Sequence, residues 1–140
     1  MATIKSFTSL EQSRKLAEFL PLDSADMHYN DWNYDFYDGY ERTGIYIADL
    51  GTPETICGVL DIPCWSLAAL LDIMPKDKSI ECSISFGYYN GKGEYIEKWL
   101  CAFEKEGETT DDYIIETFDG DSPVDACVAM IERLHELKLL

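Results

Sequence analysis

Carboxylates are the reactive groups that this 140-residue chain offers in quantity, and they are gathered. Asp23, Asp26, Asp31, Asp35, Asp38 and Glu41 form one run without a Lys or Arg. Glu104, Glu106, Glu108, Asp111, Asp112, Glu116, Asp119, Asp121 and Asp125 form a second, against Lys105 alone. Fourteen of the sixteen net negative charges lie in these two islands. Such a field repels phosphate and anionic lipid, and attracts basic protein surfaces or cations. Asp31-Trp32-Asn33-Tyr34-Asp35 sets oxygen side chains at alternate positions, like the first half of an EF-hand loop. Phe36 then stands where that loop needs Gly, and Arg42 where it needs a bidentate Glu. A divalent-cation loop over Asp31 to Glu41 is therefore an alternative only, and no metal ligand is assigned.

Nucleophilic or acid–base chemistry has few residues to draw on. His28 and His135 are the two histidines. His28 stands among carboxylates that favour its charged form, which makes it the better functional candidate. His135 falls near the end of a helical stretch, where the dipole favours a cation. Cys64 follows Pro63 at an expected helix start, where a thiol ionises more readily. Trp65 and the apolar residues beyond it point instead to burial and core packing. Asn90-Gly91-Lys92-Gly93 has no Walker spacing and reads as a hairpin turn. No G-x-S-x-G, H-E-x-x-H or G-x-G-x-x-G pattern occurs. No catalytic residue and no cofactor is assigned, and an enzyme is the less favoured class. A pocket between the central helix and the sheet, with His28, Asp61, Cys64 and Trp65 nearby, is the alternative ligand-binding or enzymatic reading.

Rings interleave with the first acidic island: Trp32, Tyr34, Phe36, Tyr37 and Tyr40. Tyr and Trp are enriched where one end of a side chain is dry and the other wet, as at protein interfaces. The candidate partner-binding residues are therefore Asp31, Trp32, Tyr34, Asp35, Tyr37 and Asp38, with Asp111, Asp112, Asp119 and Asp121 from the second island. The plainer reading of the same charge is solubility.

The elements that must position these residues follow from spacing. Thr8 and Glu11 fit a capping box, opening a helix that puts Leu10, Ser13, Leu16, Ala17 and Leu20 on one face until Pro21. Leu22 to Tyr40 has no clean period and reads as an ordered loop with one short strand. Ile45 to Ala48 is a strand, and Ile56 to Leu60 a weaker one. Asp61-Ile62-Pro63 reads as the start of a second helix, Cys64 to Met74, apolar nearly all round and able to pack across a homodimer. Ile80, Cys82, Ile84, Phe86 and Tyr88 alternate with small or polar residues, a strand period. Tyr95 to Phe103 returns, with Tyr95, Trp99, Cys101 and Phe103 on one face, and Tyr113 to Phe118 completes an antiparallel meander. Ser122-Pro123 starts a last helix whose buried stripe is Val124, Cys127, Val128, Ile131 and Leu134, with Lys138 continuing it. Glu132, Arg133 and Glu136 are expected to point outward.

The expected class is therefore α+β: an antiparallel sheet of three to five strands with about three helices on it. A single domain over residues 1–140 fits the length. A hydrophobic content of 46% and an aromatic content of 13% of the chain are ample for a core. Five cysteines without a C-x-x-C pair suggest reduced thiols and a cytoplasmic setting. The N-terminal residues lack a signal core, and no apolar run reaches membrane-span length. Scattered Lys and Arg argue against direct nucleic-acid binding.

Three stretches carry a resemblance. Ser24 to Met27, Asp61-Ile-Pro-Cys-Trp-Ser-Leu-Ala-Ala-Leu-Leu71 and Asp121-Ser-Pro-Val-Asp-Ala-Cys-Val-Ala-Met-Ile-Glu-Arg-Leu134 resemble, in the same order, a family of small uncharacterised proteins from Bacteroidales genomes, their phages and mobile elements. The motifs are helix starts and core faces. They imply a fold and a bacterial or phage cytoplasmic context, and carry no functional residue across. The functional expectation is an acidic, non-enzymatic interaction protein for a basic protein partner. In a mobile-element setting its narrower form is a nucleic-acid-mimicking inhibitor.

Overall fold

The computed structural model describes residues 5–31, 46–53, 55–56 and 59–140. They form an α+β fold with three helices and two antiparallel three-stranded sheets. The chain gathers into two compact units, Phe7–Ala69, and Met1–Ser6 together with Leu70–Leu140. No helix among the described residues is long and apolar enough to cross a membrane.

The Phe7–Ala69 unit begins with helix α1, Leu10–Leu16. Its cap is Ser9, not the expected Thr8. Ser9 Oγ accepts from Gln12 N at 3.2 Å, and Gln12 Oε1 accepts from Ser9 N at 3.0 Å, a reciprocal capping box one residue later than expected. Thr8 is fully buried and already engaged. Its hydroxyl accepts from Trp65 N at 3.1 Å and lies 2.7 Å from Ser13 Oγ. A side chain claimed by a partner 57 residues away cannot also cap its own helix. Of the expected face, Ser13 and Leu16 are buried and Leu10 and Ala17 half-buried. The helix stops at Leu16, short of Pro21, so Leu20, buried too, lies beyond it.

Strand β1, Met27–Asp31, lies between β2, Tyr46–Leu50, and β5, Ile62–Cys64. A two-residue pairing of β3, Thr55–Ile56, with β4, Val59–Leu60, stands apart from that sheet. Met27 and Tyr29 are buried and pack with Cys64, Phe7, Leu10, Ala48 and Ile62. The period of two along β1 was hidden in the sequence, because polar His28 and Asn30 read there as loop residues.

Asp61-Ile62-Pro63 does not open a helix. Ile62–Cys64 is an edge strand, with Pro63 opposite His28, and an edge tolerates the missing N–H of proline. Helix α2 is Leu67–Ile73, shorter than expected. Ser66 caps it by accepting from Ala69 N at 3.2 Å. Asp26 holds that cap, accepting from Ser66 N at 2.9 Å and from Ser66 Oγ. Leu70 is buried, while Ala68, Leu71 and Asp72 are exposed, so the helix is not buried all round.

The second unit contains the expected meander. Strands β6, Ile80–Tyr89, β7, Tyr95–Lys105, and β8, Ile114–Gly120, pair in that order. The β6–β7 turn is fixed by Asn90, whose Oδ1 accepts from Lys92 N at 2.9 Å and Glu94 N at 3.0 Å. Cys82, Phe103 and Glu116 stand in one register row, and Ile84, Cys101 and Phe118 in the next. Helix α3, Pro123–Glu136, lies against β7 and β8 on this side. Ser122 caps it by accepting from Asp125 N at 3.1 Å, with Pro123 in the first turn. Val124, Cys127, Val128, Ile131 and Leu134 are buried, as their spacing requires. Phe103 and Phe118 stack with centroids 6.2 Å apart.

Three details differ from expectation. Register shifts between Phe86 and Tyr88, and Gly87 there has φ +81°. This bulge turns Tyr88 away from the row of Phe86, so the alternation does not run through to Tyr88. Lys138 lies past the helix end with φ 59° and is exposed, so it does not extend the stripe. Arg133 is only half exposed because it folds back on β8. Its Nε and Nη2 donate to Glu116 at 2.9 and 3.1 Å.

Candidate functional site

The face of the meander opposite α3 is built from the other half of the strand alternation. It carries Glu81, Ser83 and Ser85 from β6, Leu100, Ala102 and Glu104 from β7, and Ile115, Thr117 and Asp119 from β8. Its middle is lined by short side chains, Ser83, Ala102 and Thr117, which adjoin across the three strands. A shallow depression lies there between Glu81, Glu104 and Ile115. Glu81, Ser83, Ser85, Ile115, Thr117 and Asp119 are exposed, Ile115 by 55%.

Glu81 and Glu104 are direct cross-strand partners on this face. Like charges set opposite each other destabilise a sheet, so the pair is a local cost of the fold. Tyrosine hydroxyls fix two of the carboxylates. Tyr113 donates to Glu104 Oε1 at 2.8 Å, and Tyr88 to Asp119 Oδ2 at 2.9 Å. Both phenols are in turn held above their ordinary pKa, chiefly because each donates its proton to a carboxylate. The Gly87 bulge is what brings Tyr88 to this side. A cation also approaches the face: Lys98 Nζ is 4.0 Å from Asp119 Oδ2.

The second acidic island is thus divided by the fold. Glu104 and Asp119 lie on the open face. Glu116 and Asp125 are taken by bases, Arg133 at 2.9 Å and Lys5 at 2.6 Å. Asp111 and Asp112 sit in a short 3-10 turn, Thr110–Asp112, where Asp112 Oδ2 accepts from Thr109 Oγ1 at 3.1 Å. With Glu106 and Glu108 they edge one end of the sheet. Asp119 lies five residues up β8 from Ile114, roughly 17 Å at strand rise. Asp121 is exposed just beyond it, ahead of α3. Of the first island's candidates, Asp31 closes β1 opposite Tyr46. Trp32, Tyr34, Asp35, Tyr37 and Asp38, with Phe36, Tyr40 and the rest of the cation-loop pattern to Arg42, lie outside the described residues.

The candidates for bond chemistry are placed differently. His28 is on β1 rather than in a loop, and its Nδ1 is 2.9 Å from the Gly51 carbonyl oxygen, pinning the turn after β2. Cys64 ends a strand three residues ahead of α2, is fully buried, and has its thiol pushed up by that burial. Tyr29 OH donates to the Thr8 carbonyl at 2.7 Å, and burial pushes its phenol up to about 12. Tyr29 and Cys64, with Thr8 between them, form one knot of structural hydrogen bonds. Trp65 is buried too, its Nε1 donating to Ser24 Oγ at 3.0 Å.

A cavity of about 230 Å³ does lie beside the C-terminal end of α2, lined by Leu71, Met74, Cys82, Ile84, Cys101 and Cys127 among others. None of His28, Asp61, Cys64 and Trp65 lines it. It is smaller than usual ligand sites, and thiols are its main polar side chains. Among the described residues, no group of three or more His, Cys, Asp or Glu could hold a metal ion. The residues that sequence reasoning missed are Glu81, Tyr88 and Tyr113. For Glu81 the signal was the strand alternation, which sets it on the face opposite Cys82. Alternation puts Tyr88 on the wrong face, because the Gly87 bulge reverses it, and Tyr113 lies just ahead of β8.

Comparison with protein-family models, curated proteins and solved structures finds no match for this chain.

Proposed function

We propose that this chain is a non-enzymatic interaction protein whose open meander face receives a basic segment of a partner protein. The observation that carries the reading is the Glu81–Glu104 juxtaposition beside a shallow depression on the open strand face, with Glu81 exposed and Glu104 half-exposed. A Lys or Arg set between the two would relieve their repulsion, and Asp119 would take a second cation. Hydroxyls from Tyr113 and Tyr88 pre-orient Glu104 and Asp119, lowering the ordering cost of binding. Exposed Ile115 and the stems of long basic side chains supply apolar contact. The loop acids Glu106, Glu108, Asp111 and Asp112 add long-range attraction that speeds encounter. A nucleic-acid mimic is the narrower form of the same reading, with carboxylates standing for phosphates. Residence in the cytoplasm, expected from the free thiols, fits either form.

The test is an NMR titration of the full chain with a short Lys/Arg-rich peptide. Shift changes centred on Glu81, Ser83, Ala102, Glu104 and Thr117, weakening with salt, are the expected result. Changes spread evenly over all acidic residues would leave solubility as the role of the charge.

A further inference from the structure

Three of the four described cysteines, Cys82, Cys101 and Cys127, line one cavity, and two of them touch. Cys101 is at the centre of β7 and Cys127 is on the facing side of α3. Their sulfurs are 3.4 Å apart. We infer that Cys101 and Cys127 form a reversible disulfide that fastens α3 to the middle strand of the meander. A bond of about 2.05 Å requires the two sulfurs to close by a further 1.3 to 1.4 Å or so, within reach of small side-chain and helix adjustments.

Both sulfurs are shielded from bulk water, with zero residual exposure of either residue. The cavity of about 230 Å³ is the route to them, and half-buried Cys82 stands in its wall. Chemistry favours one order of attack. The S–H···S contact holds the Cys127 thiol below its ordinary value, while that contact and burial push Cys101 up. One proton shared between the sulfurs serves whichever ionises first. The oxidant class is a low-molecular-weight disulfide. The Cys127 thiolate attacks one of its sulfurs, forming a mixed disulfide and expelling one thiolate. Cys101 then attacks the Cys127 sulfur, closing the protein disulfide and expelling the second. Two protein thiols are oxidised, the small disulfide is reduced to two thiols, and both protons end on those products. Cys64 belongs to the buried knot with Thr8 and Tyr29 and takes no part.

Oxidised glutathione applied to the folded full chain tests this. After denaturation, free thiols are alkylated and tryptic peptides are mapped without reduction. Cleavage after Lys98, Lys105 and Arg133 puts Cys101 and Cys127 on different peptides. The expected result is a linked pair Trp99–Lys105 with Glu106–Arg133 that dithiothreitol separates and that Cys82→Ser retains. The oxidised protein should also melt at a higher temperature than the reduced one. Full alkylation of both cysteines after prolonged exposure would overturn the inference. So would a disulfide found only between Cys82 and either of them, or one that forms solely under denaturing conditions.

Discussion

Replacing Tyr29 by Phe should make the protein less stable at neutral pH and more stable above about pH 11. Tyr29 is only 8% exposed, and its hydroxyl donates to the Thr8 carbonyl at 2.7 Å. Losing that donor should cost about 1–2 kcal/mol, since a buried acceptor loses its main partner. The phenol pKa is raised from 10.0 to about 12, first by burial and then by the neighbouring Cys64. A folded pKa above the unfolded one means that the unfolded chain releases its proton first. The stability contributed by the protonated phenol is thus complete below pH 10 and is lost as pH rises towards 12. Two pKa units correspond to about 2.7 kcal/mol at the limit, of which roughly 1.4 is gone by pH 11. The Phe variant lacks this loss; it also removes the Tyr29 contact with the Cys64 thiol, the smallest of the influences on that group. Urea unfolding at several pH values between 8 and 12 gives the two stability curves. They should cross near pH 11. Parallel curves would refute the buried-hydroxyl reading of Tyr29.

Two further substitutions probe the meander. Glu81→Gln should raise stability by about 0.2–1 kcal/mol by removing a like-charge cross-strand pair, measured as a higher urea midpoint with unchanged slope. A drop would show that Glu81 is held by a favourable partner instead. Gly87→Ala should cost about 1–2 kcal/mol, because φ is +81° and an added Cβ would lie 1.9 Å from the Tyr95 hydroxyl oxygen. Tyr95 is 51% exposed and can swing aside, so the backbone strain is the larger part. An unchanged midpoint would mean that the bulge relaxes freely.

The meander and α3 were legible in the sequence because their patterns are local. Ile80 to Phe86 alternates, Asn90-Gly91-Lys92-Gly93 turns, and Ser122-Pro123 starts a helix whose stripe repeats every three or four residues. The Phe7–Ala69 unit was less so, since its boundaries rest on distant partners. Thr8 looks like a cap until Trp65 N claims its hydroxyl. Pro63 looks like a helix start until β1 pairs with it. The acidic islands were plain, but sequence could not tell which acids the fold neutralises. Glu116 and Asp125 look the same as Glu104 and Asp119 until Arg133 and Lys5 take the first two. Glu81 lies outside both islands and became a candidate only through its register with Glu104.

The affinity of a Lys/Arg-rich peptide for three proteins tests the open face most directly: the wild type, the triple variant Glu81→Gln, Glu104→Gln, Asp119→Asn, and a control neutralised at Glu11, Glu18 and Asp72. Each exposed pair is worth roughly 0.2–1 kcal/mol, so the face variant should bind about 3- to 150-fold more weakly. The control carries the same net charge and should stay near the wild type. Equal weakening in the two variants would contradict a specific face and reduce the binding to net charge alone.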